Sequence, residues 1–260
     1  MLLRPDYKKH HREMQQLRSV PRYTRCTTRL LGPTLLLTDV ATFLPTYKEI
    51  FEHEIYKFRA DSEFPKILDC GANIGLSVIY FKSLYPQSRI VAFEPDPKLG
   101  EVLAANLESF KIQDVEVINK AVWSVNTTLE FFSEGSDSGR LSESIEGASR
   151  LSVETIRLAE FLHETVDFLK MDIEGAETEV LSDVNDMLCN VKNIFIEYHS
   201  FSSKPQTLTH LLGILDQAGF RLHIQNPYPF NHKPLYDRTS VGGMDLLLTI
   251  FGHRDTKISI

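Results

Sequence analysis

Apolar residues in this chain recur in two rhythms. From Pro65 onward, short apolar runs at 66–70, 89–94, 115–119, 167–172, 193–198, 220–225 and 244–251 have the length of buried strands. Between several of them, residues 75–85, 97–109, 174–190 and 205–218 place apolar side chains at helical spacing. Strands alternating with helices predict a mostly parallel seven-stranded sheet, in an α/β fold with helices on both faces. The last run, "GMDLLLTIFG" (243–252), follows strand six with no helical segment between, so an antiparallel final strand is expected. Upstream, "TLLLT" (34–38) reads as a short strand. Phe43, Tyr47, Ile50, Phe51, Ile55 and Phe58 then predict an amphipathic accessory helix lying on the main body.

Two stretches break the rhythm. Within 121–166, "NTTLEFF" (126–132) predicts an added strand, and "SEGSDSGRLSESIEGAS" (133–149) a polar loop placed to act as a lid. Residues 225–243 carry Tyr228, Phe230, His232 and Tyr236 in a loop expected at the sheet rim. No internal repeat is present. The expected organisation is a basic N-terminal tail with the accessory helix over 1–60 and one ligand-binding domain over 61–260.

Composition adds the setting. At 42% apolar and 24% charged residues, the chain has the make-up of a soluble globular protein. No apolar run reaches the roughly 18 residues that a membrane-spanning helix needs. The first twenty residues interrupt their apolar positions with charge, unlike a secretory leader. Cys26, Cys70 and Cys189 show no paired spacing, which points to reduced thiols and a cytoplasmic location. Residues 1–30 hold eight Lys and Arg against Asp6 and Glu13, a balance of +6 that leaves −13 for the rest. The acidic body argues against a long groove tracking nucleic-acid phosphates. The sequence sets no oligomeric state.

The chemistry begins at "ILDCGANIG" (67–75), a buried strand running into a glycine-hinged turn. In an open parallel sheet, ligands bind beyond the carboxyl ends of the strands, at such a turn. Asn73 stands where a dinucleotide fingerprint needs its second glycine, and Asp69 adds negative charge where two phosphates would lie, which disfavours a nicotinamide cofactor. An ammonium paired with a single carboxylate suits the turn better: Asp69 near the cation, the helix N-terminus towards the anion. That is the amino-acid end of S-adenosylmethionine. Glu94 follows Gly75 by 19 residues at the tip of the adjacent strand, where an acid can accept from both ribose hydroxyls. Ala121 and Val122, past strand three, supply the apolar wall and backbone expected beside an adenine ring. The donor-binding set is therefore Asp69, Gly71, Asn73, Gly75, Glu94, Ala121 and Val122.

Five segments carry a more specific likeness: "EIFEHEIYKF" (49–58), "ILDCGANIGLSVIYF" (67–81), "IVAFEPDP" (90–97), "FLKMDIEGAETEVL" (168–181) and "IFIEYH" (194–199). Over roughly residues 45–220 the chain resembles the FkbM-like family of S-adenosylmethionine-dependent methyltransferases, chiefly through "KMDIEGAE". The resemblance implies a Rossmann-like class I methyltransferase fold and O-methylation of a hydroxyl on a small molecule, sugar or glycan. Two rival readings are a nucleic-acid methyltransferase anchored by the basic segment and a non-catalytic donor-binding subunit.

Strand four delivers Asp172 and Glu174 to the rim that carries the glycine turn, and strand five delivers Glu197 and His199, two apart and hence on one face. Asp172, Glu174 and His199 are the candidates for orienting the acceptor and removing its proton. His199 has an ordinary pKa near 6.5, suited to a base at neutral pH. Glu177 reads as a helix-terminal acid. With Glu197 the three candidates could also hold a divalent cation, although no metal ligand is assigned.

Overall fold

In the computed structural model, which describes residues 7–133, 139–141, 149–227, 233, 235–236 and 240–254, the basic segment is no solvated tail from Tyr7 onward. It forms α1 (Tyr7–Arg18) and a short antiparallel pair, β1 (Cys26–Thr28) with β2 (Leu35–Leu37). Leu17, Leu30, Leu35 and Leu37 are buried in one core with Ile67, Phe81 and Phe168 of the α/β body. The leucines spaced through the charged sequence seat it there.

Helix α2 (Val40–Tyr47) starts at Asp39, whose carboxylate accepts from the Ala41 N–H, and continues as a π-helical turn over Lys48–Glu52. The amphipathic helix expected through Phe58 stops short. Glu54 adopts φ 54°, which turns the chain out of the helix. Phe58 still packs against Phe81 and Phe168, so the apolar period marks a shared core rather than one continuous helix.

The body follows as β3 (Lys66–Cys70), α3 (Leu76–Leu84), β4 (Arg89–Phe93), α4 (Pro97–Ser109) and β5 (Val115–Ile118). An insertion holds β6 (Ala121–Trp123), β7 (Thr128–Ser133), β8 (Gly139–Leu141) and β9 (Ser149–Arg157). Then come β10 (Val166–Met171), α5 (Glu177–Asp183), β11 (Val191–Phe201), α6 (Leu208–Gln217), β12 (Arg221–Gln225) and β13 (Met244–His253). The main sheet has the order β12-β13-β11-β10-β3-β4-β5. Neighbours from β11 to β5 run parallel, whereas β13 is antiparallel to both β11 and β12, as the missing helix before it required. Central β10 is buried at every position, which explains why it reads as an apolar run rather than an alternation.

The added strand is β7, in a second sheet ordered β6-β9-β7-β8. Of the predicted lid, residues 134–138 and 142–148 lie outside the described residues, as do Tyr228, Phe230 and His232 of the rim loop; Tyr236 is 91% exposed. Residues 174–190, expected as one helix, divide into α5 and a 3-10 stretch over Asn185–Asn190. The break falls at Asp183, Asn185 and Asp186, residue types of low helix propensity. Among the described residues, no helix is long and apolar enough to cross a membrane.

Candidate functional site

The carboxyl ends of β3, β4, β10 and β11 meet at one rim. The turn after β3 runs through the left-handed region three times, at Gly71 (φ 89°), Asn73 (φ 49°) and Gly75 (φ 92°). Glycine at 71 is dictated by β10: a Cβ there would lie 1.9 Å from the Asp172 carbonyl oxygen. At Gly75 a Cβ would meet Leu103 of α4 at 2.5 Å, so the second glycine lets α3 pack on α4. Asn73 tolerates its positive φ by bonding locally, its Oδ1 accepting from the Ile74 N–H.

Beneath the turn lies a buried ion cluster. Lys170 Nζ stands 3.3 Å from Asp69 and 3.5 Å from Asp172, and donates to the Gly71 carbonyl at 2.8 Å. Burial alone would lower the lysine's pKa, but Asp69 and Asp172 raise it well above its usual value, so Lys170 is a fixed cation. The structure thus places Asp69 under the turn, fully buried, accepting from Ser77 and pairing with Lys170.

Glu94, 4% exposed, holds the turn from the β4 side. One carboxylate oxygen accepts from the Asn73 N–H at 2.9 Å and the other from the Asp96 N–H at 2.9 Å. Burial pushes its pKa up to about 7 against these two bonds. Ala121 and Val122 sit in β6 just past β5, at 5% and 3% exposure. Val122 packs into the core with Phe93 and Leu158, and Ala121 packs beside Val153, so each points into a core.

A cavity of about 320 Å³ opens beside the turn. Gly71–Ile74 and Ser77 line it from the turn, and Thr42, Thr46, Glu49 and Tyr56 line it from the segment before β3. Lys170, Asp172, Glu174 and Glu197 complete the lining from β10, the turn after it and β11. Glu174 owes its place to backbone: it takes φ 57° and Gly175 φ 96°, a double left-handed turn after β10. Phe201 fills the space where a Cβ on residue 175 would go, at 2.7 Å.

His199 is buried and enclosed by carboxylates. Its Nδ1 lies 3.0 Å from Glu177, and its Nε2 3.5 Å from Glu197 and 3.8 Å from Glu174. Burial opposes a charge on the ring, yet Glu174 and Glu177 raise its pKa well above 6.5. A ring held protonated cannot take up a proton, which removes the reason for reading His199 as the base. Glu177 also accepts from the N–H groups of Ile173 and Gly175, so it fixes both the turn and the histidine. Burial and the neighbouring Asp172 raise the pKa of Glu197. Asp172, Glu174 and His199 each offer a ligand atom within 4.8 Å of the others, a spacing compatible with a divalent cation.

The rim therefore gathers Gly71, Asn73, Asp172, Glu174 and His199, all named from sequence, while Asp69 and Glu94 support the turn from within. Sequence reasoning missed the supporting roles of Lys170 and Glu177 and the wall from 42–56. Lys170 lies between Leu169 and Met171 in a fully buried strand, and a cation there signals a buried partner. The wall has no local signal, because only tertiary packing brings it to the rim.

The family model described as "Methyltransferase FkbM domain" matches residues 69–222. Methyltransferase sdnD of Sordaria araneosa is 31% identical over 212 residues, 67% of this chain and 80% of that protein. The 2-O-methyltransferase NoeI of Sinorhizobium fredii (strain NBRC 101917 / NGR234) is 26% identical over 155 residues, 52% of this chain and 63% of that protein. Among solved structures, methyltransferase FkbM from Methylobacillus flagellatus KT superposes with a TM-score of 0.52 at 15% identity. The match covers 95% of this chain, which spans 60% of that one. At such identity the likeness establishes the fold.

Proposed function

The chain belongs to the FkbM methyltransferase family, whose donor is S-adenosylmethionine, and from that premise we propose that it transfers the methyl group to a hydroxyl of a small molecule, sugar or glycan. The observation that carries the reading is the shared site: the glycine turn and a set of carboxylates line one cavity. The name of the relative NoeI, a 2-O-methyltransferase, supports oxygen as the acceptor atom.

The residues present fit the donor. The turn is kept free of side-chain atoms at Gly71, where β10 leaves no room for a Cβ. Glu94 uses one bond on each oxygen for backbone, leaving each a further lone pair for the two ribose hydroxyls. Ala121 and Val122 offer backbone to the adenine, since their side chains are spent on packing. Asp69 acts through Lys170, fixing the turn that meets the amino-acid end. When bound, the donor supplies an electrophilic methyl on a sulfonium.

What the chain must then do is align the acceptor and manage one proton. Asp172 and Glu197, converging from β10 and β11, orient the hydroxyl and accept its proton. Glu174 holds the acceptor from the turn above. His199, kept charged by Glu177, acts by positioning Glu174 and Glu197. Alignment of this kind contributes roughly 7–11 kcal/mol to lowering a barrier.

The test is calorimetric titration of S-adenosylhomocysteine and, separately, NAD into the wild type and Glu94→Ala. S-adenosylhomocysteine should bind and NAD should not. Losing a charge-assisted bond worth about 1.5–3 kcal/mol should weaken the mutant at least tenfold. Failure of S-adenosylhomocysteine to bind the wild type would overturn the reading.

A further inference from the structure

The segment "EIFEHEIYKF" (49–58) carries part of the family likeness, yet the transfer proposed for the site draws on none of its side chains. Local structure brings one of them, Tyr56, to the cavity. Helix α2 runs into the π-helical turn over Lys48–Glu52, and the positive φ of Glu54 then redirects the chain. Tyr56 is carried into the body, where its ring centre lies 4.7 Å from that of Phe195 in β11, edge-on, and 5.7 Å from that of Phe81 in α3. The residue is 4% exposed and lines the cavity together with Gly71, Lys170, Asp172 and Glu197.

Apolar packing fixes the ring, but nothing comparable holds the hydroxyl. Among the described residues, no group hydrogen-bonds to the Tyr56 oxygen. The Ser88 hydroxyl, also unbonded, is shut off from solvent, whereas the Tyr56 oxygen is not, so it opens on the cavity that the residue lines. Other phenols packed into this fold bond to protein: Tyr198 accepts from the Thr207 N–H, and Tyr85 donates to the Phe58 carbonyl. Burial holds the Tyr56 pKa well above 10; Lys170, 6.0 Å from the ring centre, opposes this, and Asp172, Glu197 and Asp69 reinforce it. The phenol therefore keeps its proton at neutral pH and serves as a donor rather than a base. Asp172 and Glu197, which act on it from nearby, are the pair assigned to the acceptor's proton, and this puts the phenol at the acceptor end of the site.

Resting on the proposed transfer to a hydroxyl, we infer that Tyr56 is a further catalytic residue, whose O–H donates to the oxygen of the acceptor hydroxyl. Such an oxygen has one hydrogen and two lone pairs. Its hydrogen leaves as a proton to Asp172 or Glu197, and Tyr56 holds one lone pair. The other forms the bond to the methyl carbon as the carbon–sulfur bond breaks and leaves its electron pair on sulfur. Fixing two directions at the oxygen aims the third, which is how alignment lowers the barrier. The donated bond also stabilises the negative charge that gathers on the oxygen as its proton departs.

The phenol itself supplies the readout. 3-Fluorotyrosine is placed at position 56 alone, and its fluorine resonance is followed in the full chain saturated with S-adenosylhomocysteine as a hydroxyl probe is added. Glycerol, methyl α-glucoside and catechol serve as probes, spanning aliphatic, sugar and aromatic hydroxyls. At least one should move the resonance saturably. Tyr56→Phe removes one oxygen and keeps the ring packing, so it should weaken that probe at least about fivefold, the loss expected of one neutral hydrogen bond. Its affinity for S-adenosylhomocysteine should be unchanged. A resonance that no probe moves, or a probe that binds the Tyr56→Phe protein as tightly, overturns the inference. So does a loss that falls equally on S-adenosylhomocysteine, which would assign the hydroxyl to the donor. The fluorinated protein carries the test alone if the variant does not fold. If S-adenosylhomocysteine does not bind the wild type, the transfer reading fails first and this inference falls with it; if it binds and the phenol does not respond, only the role of Tyr56 fails.

Discussion

Glu94→Gln offers a quantitative check on the donor side of the site. Burial lifts the Glu94 pKa from an ordinary 4.5 to about 7, so the folded state holds this proton more tightly than the unfolded chain does. The stabilisation from the bound proton is complete below pH 4.5 and is lost as pH rises through 7. At about 1.36 kcal/mol per pKa unit, the loss amounts to roughly 3 kcal/mol. Glutamine matches the acid in shape and does not titrate; its amide nitrogen cannot accept one of the two backbone N–H bonds, a cost that is the same at every pH and cancels from the pH dependence. Relative to wild type, Glu94→Gln should therefore gain about 3 kcal/mol between pH 4.5 and pH 8. Urea denaturation of both proteins at the two pH values gives that difference directly, because the other titrating groups are common to both. The ligand adds a second readout. Ribose hydroxyls donating to Glu94 favour its ionised form, so S-adenosylhomocysteine binding at pH 6 should release a proton, seen as a buffer-dependent enthalpy that vanishes in the mutant. A stability difference that moves by less than about 1 kcal/mol across this range would refute the assigned burial of the carboxylate.

Gly71→Ala should lose about 2–5 kcal/mol of stability. Roughly 1–2 kcal/mol comes from the positive φ and 1–3 from displacing the Asp172 carbonyl, as measured by the shift in urea midpoint. Lys170→Met leaves Asp69 and Asp172 without their buried partner and should cost about 3–5 kcal/mol. Adding Asp69→Asn should recover part of that loss in the same assay, whereas simple additivity of the two losses would argue against their pairing.

What was legible in the sequence depended on how local its cause is. Strand β3 lies where its apolar run placed it, and the antiparallel β13 followed from the missing helix before it. Gly71 and Gly75 announced a turn because no other residue accepts that backbone so cheaply. Asp172 and His199 were correctly brought to one rim by strand ends alone. Their electrostatics were not legible: the pKa of His199 depends on Glu177, 22 residues earlier and on another element. Ile55 and Phe58 continued a helical period past the residue, Glu54, that ends the helix. The basic segment looked like a tail because its charges outnumber the leucines that seat it in the core.

The placement of β13 between β11 and β12 also bears on synthesis of the chain. Strand β12 is made first, yet among the described residues it pairs in the sheet with β13 alone. Until residues 244–253 emerge, β11 presents an open edge at its most apolar stretch, and β12 stays undocked. At about 5–20 residues per second, the 52 positions from Phe201 to His253 keep that edge exposed for roughly three to ten seconds on the ribosome. The nascent chain therefore passes through an interval in which the donor turn is already complete in sequence but the sheet behind it is unsealed. During that interval chaperone engagement or mispairing with a second nascent chain competes with folding.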